Sequence, residues 1–136
     1  MTTITRREAA LRYAKRGWAV FPLYEPAANG LCSCGNPRCS SPAKHPRIKH
    51  GVLEATTNEA RIQQWWTQWR EANIGIATGK KSGVVVLDVD PRHGGDKSLA
   101  ELEAKCGPLK TLECETGGGG QTLGSALPVA GPKDAE

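Results

Sequence analysis

Between Glu25 and Gly51 the chain offers neither a helical nor a strand pattern; Gly, Pro, Ser, Asn and Cys dominate the segment. An irregular stretch of that length inside a small domain is uncommon unless something organises it. The candidate organiser is the set Cys32, Cys34, Cys39 and His45. Three thiolates and an imidazole suit tetrahedral Zn²⁺, and a loop with so little apolar content needs a staple of that kind. The single residue between Cys32 and Cys34 is tighter than usual. His50 is a competing fourth ligand, and unrelated loop cysteines are the plainer alternative. The chain has five Cys. An odd number with three clustered fits a metal site in a reducing compartment better than a disulfide framework. Cys106 and Cys114 are expected to be ordinary buried or half-buried thiols.

The flanks of this loop read as regular structure. Thr5 and Glu8 form a capping box ahead of a helix ending near Gly17. Trp18–Leu23 reads as a short buried strand. Thr56 to Glu59 matches a second capping box, opening a helix whose Ile62, Trp65, Trp66 and Trp69 share one face. Core packing explains those Trp residues better than base stacking. Asn73–Gly79 reads as a strand, Lys80–Gly83 as a hairpin turn, and Val84–Asp90 as a strand apolar enough for burial on both faces. Asp96 or Ser98 is placed to cap a short helix through Ala104, and Thr111–Thr116 alternates like an exposed strand. The remainder, Gly117–Glu136, opens on four consecutive Gly and carries no aromatic and no periodicity; it is expected to be poorly ordered, with Gln121–Glu136 as a tail outside the domain. With 136 residues, this describes one small α/β (α+β) domain over 1–120, with 25–51 as an inserted Cys/His loop.

No apolar run reaches the roughly 20 residues of a membrane span, and the first residues lack a signal-peptide core. A cytoplasmic protein without membrane contact is expected. The net charge of +4 weakly favours acidic partners. No Asp or Glu falls between Glu25 and Glu54, whereas Arg38, Lys44, Arg47 and Lys49 do. Such a stretch is suited to nucleic-acid phosphates, and equally to a solvated surface.

Asp88 and Asp90, two apart at the end of the apolar strand, would share one face. Paired carboxylates there repel each other, and a hard divalent cation such as Mg²⁺ or Mn²⁺ carrying substrate phosphates resolves the conflict. A solvated strand end leading into the Asp90-Pro91 turn is the alternative. The segment Gly75–Gly83 is not a phosphate loop: Gly79 follows Gly75 too soon, Lys81 rather than Lys80 precedes Ser82, and a strand follows.

Taken in order, Trp18-Ala19-Val20-Phe21-Pro22, the Cys/His loop ending Lys44-His45-Pro46, Trp65-Trp66, Asn73-Ile74-Gly75, Thr78-Gly79, Ser82-Gly83 and Val86-Leu87-Asp88-Val89-Asp90 resemble the N-terminal domain of bifunctional DNA primase-polymerases of the archaeo-eukaryotic primase superfamily. The resemblance covers about residues 9–120. It implies a primase-polymerase fold with a mixed sheet like that of an RNA-recognition motif. It also implies catalytic metal binding by Asp88 and Asp90, a Gly94-Gly95 turn after the acidic strand, and structural zinc on Cys32, Cys34, Cys39 and His45. The implied partners are a DNA template and primer, (deoxy)nucleoside triphosphates, and a helicase module in the full-length protein. The implied setting is replication of a plasmid, prophage or integrated element.

Two departures matter. The family places a nucleotide-contacting His on a strand after a Gly-rich turn; here Gly119-Gly120-Gln121 runs into Thr122-Leu123-Gly124. A further catalytic carboxylate is expected downstream of this chain. Both imply an incomplete fold, truncated or frameshifted after about Gln121, and an inactive fragment. The alternatives are a non-catalytic zinc-containing remnant that binds nucleic acid, another metal-nucleotide enzyme using paired Asp residues, and a small zinc protein whose Asp pair is structural.

Overall fold

The computed structural model describes residues 3–108, 112–115 and 121–125, the last two segments as backbone. The chain divides into two compact units, Met1–Ala77 and Thr78–Glu136.

In the first unit, helix α1 (Arg6–Lys15) opens on the expected capping box: Thr5 accepts from the Glu8 N–H, and the Glu8 carboxylate accepts from the Thr5 N–H. Strand β1 (Val20–Leu23) pairs antiparallel with β2 (Asn73–Ile76), Phe21 facing Gly75. Between them come the irregular loop, a 3-10 turn over Gly51–Glu54, and helix α2 (Glu59–Gln68). The cap of α2 differs from expectation. Asn58 is the N-cap, accepting from the Arg61 N–H, while Thr56 accepts from the Asn58 N–H in a turn one step earlier. A free Asx side chain next to the first helical residue displaces the more distant Thr. Ile62, Trp65 and Trp66 turn inward against Ala10, Ala14, Val20 and Phe21, with Trp69 packed at the edge. Trp66 is 1% exposed and its indole N–H donates to the Ala72 carbonyl at 3.0 Å, so its one polar group is satisfied inside the core. Burial of such a side chain contributes on the order of 2–3 kcal/mol.

The second unit begins with the turn predicted at Lys80–Gly83, closed by Gly79 and Val84. The antiparallel bridge between Gly79 and Val84 makes it the expected hairpin turn, while the strand expected over Asn73–Gly79 ends at Ile76 and pairs with β1. Strand β3 (Val85–Val89), a 3-10 turn (Pro91–His93), helix α3 (Gly95–Cys106), β4 (Leu112–Glu115) and β5 (Gln121–Ser125) follow. The sheet order is β3-β5-β4, entirely antiparallel.

The α+β class holds. The expected mixed sheet is not what the described strands form, since both sheets are small and antiparallel. Burial of β3 on both faces is also corrected: Val84 and Val89 are buried, but Val85, Val86 and Leu87 are 49%, 45% and 38% exposed. Within its unit β3 is an edge strand met by one helix, too little to cover two faces. The expected disordered tail gives way, over Gln121–Ser125, to the central strand of this sheet; ladder hydrogen bonds on both sides hold a segment whose own periodicity is weak. The rest of that tail lies outside the described residues, as does the side chain of Cys114. Cys106, expected to be at least half-buried, is exposed at the end of α3. Among the described residues no helix is long and apolar enough to cross a membrane.

Candidate functional site

The loop leaves β1 and returns to it. Tyr24 N–H donates to the His45 carbonyl and Arg47 N–H to that of Pro22, so the two ends run side by side. Within this frame Cys32, Cys34, Cys39 and His45 converge, each offering a ligand atom within 4.8 Å of the others. Ligands about 2.3 Å from a tetrahedral zinc ion stand about 3.8 Å apart, so the set needs only a slight contraction. Cys32 is buried and its Sγ lies 3.5 Å from His45 Nε2. The Ala43 N–H points at the same sulfur from 3.3 Å. That N–H, with help from Cys34 and His45 against the upward push of burial, lowers the Cys32 thiol to about 6. Burial, reinforced by the neighbouring Cys34 and Cys32 sulfurs, pushes Cys39 up instead. One thiol poised as thiolate among sulfur and nitrogen neighbours is the donor chemistry of a zinc site. His50 is exposed and outside the cluster, its N–H donating to Glu54.

Several supporting residues carry no motif in the sequence. Ala43 has φ +60°, a left-handed conformation costly for a residue with a β-carbon. Its N–H serves Cys32 and its carbonyl accepts from Asn73 Nδ2 at 3.0 Å, tying the loop to β2. The His45 ring lies 4.6 Å from that of Tyr24.

The basic residues of the loop separate into two groups. Arg38, Lys44 and Lys49 are exposed. Arg47 is committed to the fold: its guanidinium binds both oxygens of Glu25 at 2.6 and 2.7 Å, with both side chains about 15% exposed. It also lies over the Tyr24 ring at 4.5 Å and the Trp69 ring at 5.4 Å. The only sequence signal for this role was Glu25, the last acid before the basic stretch.

In the second unit Asp88 is exposed on β3 and Asp90 stands just past the strand end. The extended backbone of Asp90 (φ −109°, ψ 107°) continues the two-residue alternation from Asp88. The Asp90 carboxylate accepts from the Arg92 backbone and side chain at 3.0 and 3.2 Å, with His93 Nε2 3.7 Å away. The Arg92 side chain, then its N–H, hold the Asp90 carboxyl below its ordinary range. The Gly94-Gly95 turn wraps the Asp90 backbone: Gly94 has φ +77°, and a β-carbon on Gly95 would stand 2.6 Å from the Asp90 nitrogen. Only glycine fits this close approach. Across the sheet, Asp88 has Thr122 of β5 as its Cα partner.

The sequence model of the family described as bifunctional DNA primase/polymerase, N-terminal, matches residues 10–134. The chain belongs to this Prim-Pol family. No curated protein and no solved structure matches it. The Prim-Pol match extends past Gln121, so the family pattern takes in β5 as well as the acidic strand. Membership carries DNA primase/polymerase-type nucleotidyl transfer at the level of the family, with divalent metals and DNA and nucleotide substrates. In this Prim-Pol chain the Cys3His cluster is compatible with zinc.

Proposed function

We propose that this chain is a nucleotidyltransferase domain in which Asp88 and Asp90 hold the catalytic Mg²⁺ or Mn²⁺ and the Cys/His loop is a structural zinc module. The carrying observation is the placement of both carboxylates at one strand end, beside a glycine turn that grips the Asp90 backbone. Hard carboxylate oxygens fit such a cation. When bound there, the cation supplies positive charge to a nucleoside triphosphate as a 3′-hydroxyl attacks its α-phosphate. Asp88 and Asp90 position that charge. Arg92 and His93, now gathered on Asp90, are freed to meet phosphate oxygens. Arg38, Lys44 and Lys49 contact the backbone of template or primer; Arg47 is left out of this role because Glu25 already neutralises it. Cytoplasmic replication of a mobile element, beside a helicase module, is the setting that the family resemblance favours.

Activity is expected to be low. The β5 residue facing Asp88 is Thr122, and no His follows the Gly-rich turn where the family resemblance calls for one to hold the incoming nucleotide. Loss of one transition-state stabiliser commonly costs on the order of 10²–10³ in rate. The second reading, a non-catalytic nucleic-acid binder, is favoured by the exposed loop cations and by the ion pairs that occupy Asp90. Primer extension with Mg²⁺ or Mn²⁺ distinguishes the two. The enzymatic reading expects weak template-dependent product, abolished by Asp88→Ala/Asp90→Ala and increased by Thr122→His. Product unaffected by the double substitution, or absent even with Thr122→His, overturns it.

A further inference from the structure

A cleft of about 450 Å³ opens in the first unit between the start of α1 and the residues just after α2. Trp66 contributes to its wall, and Arg6, Arg7, Arg70 and Glu71 line it beside Thr3 and Thr5. The volume is that of a small-molecule site. Its charge is unbalanced, since three guanidinium groups face one carboxylate. Arg6 is already held: its Nη1 donates to the Glu71 carboxylate at 2.9 Å and to the Glu71 carbonyl at 2.6 Å. That double contact pins the start of α1 to the segment after α2 and leaves Glu71 engaged. Arg7 and Arg70 are exposed, and among the described residues neither forms an ion pair.

We infer that this cleft is an anion site for a phosphate ester, gripped by Arg7 and Arg70. The two guanidinium groups come from different elements. A single ligand that engages both is best served by oxygens in several directions, and a tetrahedral phosphate presents more of them, with more charge, than a planar carboxylate does. The guanidinium fork matches pairs of phosphate oxygens with two parallel N–H donors. Thr3 and Thr5 add hydroxyl groups at the rim. The ester is carried either by a free nucleotide or by a nucleic-acid strand, and the chemistry of the site is the same for both. The site is lined by first-unit residues alone, and its assignment does not depend on the role of Asp88 and Asp90.

The test is binding of a nucleoside triphosphate, by calorimetry, and of a fluorescein-labelled single-stranded oligonucleotide, by anisotropy. Both are run in the Asp88→Ala/Asp90→Ala background, so that nucleotide held at the acidic strand end does not report. Arg7→Ala/Arg70→Ala is expected to weaken at least one ligand about tenfold. If the strand is the source, the slope of log K against log salt concentration falls by about 1.4, the value for two single-strand phosphate contacts. Loss confined to the triphosphate identifies the free nucleotide. Arg12→Ala/Lys15→Ala removes equal charge from the last turn of α1 and is expected to change affinity less than about twofold. Equal weakening by the two pairs, or no weakening of either ligand by Arg7→Ala/Arg70→Ala, overturns the assignment.

Discussion

The ring of Phe21 covers Gly75, its Cα partner on the neighbouring strand, so closely that a β-carbon there would stand 2.6 Å from Cζ. Gly75 is needed for space rather than for an unusual dihedral angle. Gly75→Ala is expected to destabilise the first unit by about 1–3 kcal/mol, read as a lowered Tm. Phe21→Leu in the same chain should recover part of that loss by vacating the ring position. Full stability of the single Gly75→Ala variant would contradict the packing described.

Purified protein is expected to carry about one zinc per chain. Co²⁺ exchange should give thiolate-to-metal charge-transfer absorption. Cys39→Ser should reduce that absorption by about a third per bound metal, one of three thiolates being lost, and lower metal affinity, whereas His50→Ala should leave both unchanged. Because the buried cluster of α1, α2 and β1 contains none of the four Cys/His residues, strong chelation should release the metal and loosen the loop without abolishing the helical signal of α1 and α2.

Arg47 and Glu25 predict a pH dependence. Burial pushes the Glu25 carboxyl up, but the Arg47 guanidinium and the Ser33 hydroxyl outweigh it, and the net position is below the ordinary 4.5. A carboxyl depressed in the folded state contributes stability that is complete above 4.5 and is lost as pH falls through the depressed value. In wild type the acid limb of a stability-pH profile should therefore contain this contribution, and Glu25→Gln should flatten it. Arg47→Lys keeps the charge but loses the two-pronged contact and the stacking on Tyr24, and should cost about 1–2 kcal/mol. Arg47→Ala leaves the Glu25 carboxylate half-stranded and should cost about 3 kcal/mol.

Ala43 at φ +60° offers a stabilising change. Glycine adopts that conformation freely, and the gain exceeds the extra entropy that it loses on folding. Ala43→Gly should raise stability by about 0.5–1 kcal/mol while keeping the N–H that faces Cys32. Thermal unfolding of the zinc-loaded protein provides the measurement, and a lowered Tm would refute the strain assigned to Ala43.

Local patterns in the sequence located α1, α2, β1 and the Cys/His cluster of the loop. The α1 cap, the inward face of Ile62, Trp65 and Trp66, and the spacing of Cys32, Cys34, Cys39 and His45 each depend on residues within one turn or one loop. What escaped notice depends on distant partners. Arg47 resembles any loop cation until Glu25, Tyr24 and Trp69 are brought around it. Gln121–Ser125 has little strand character of its own and becomes a strand by pairing on both sides. The Val-rich β3 carries the mark of a fully covered strand, yet its position at a sheet edge, rather than its hydropathy, sets its exposure.

The side-by-side exit and return of the Cys/His loop at β1 separate its length from the geometry of the core. Closing a longer excursion between the same two hydrogen-bonded ends costs only about 0.6 kcal/mol per doubling. Residues around Gly35–Pro37, at an exposed turn between ligands, can therefore be inserted or removed with little consequence for β1 or α2. The tip of the loop is in this sense a cassette, open to tags or foreign segments, while its base stays joined to its host through Tyr24–His45, Pro22–Arg47 and Ala43–Asn73.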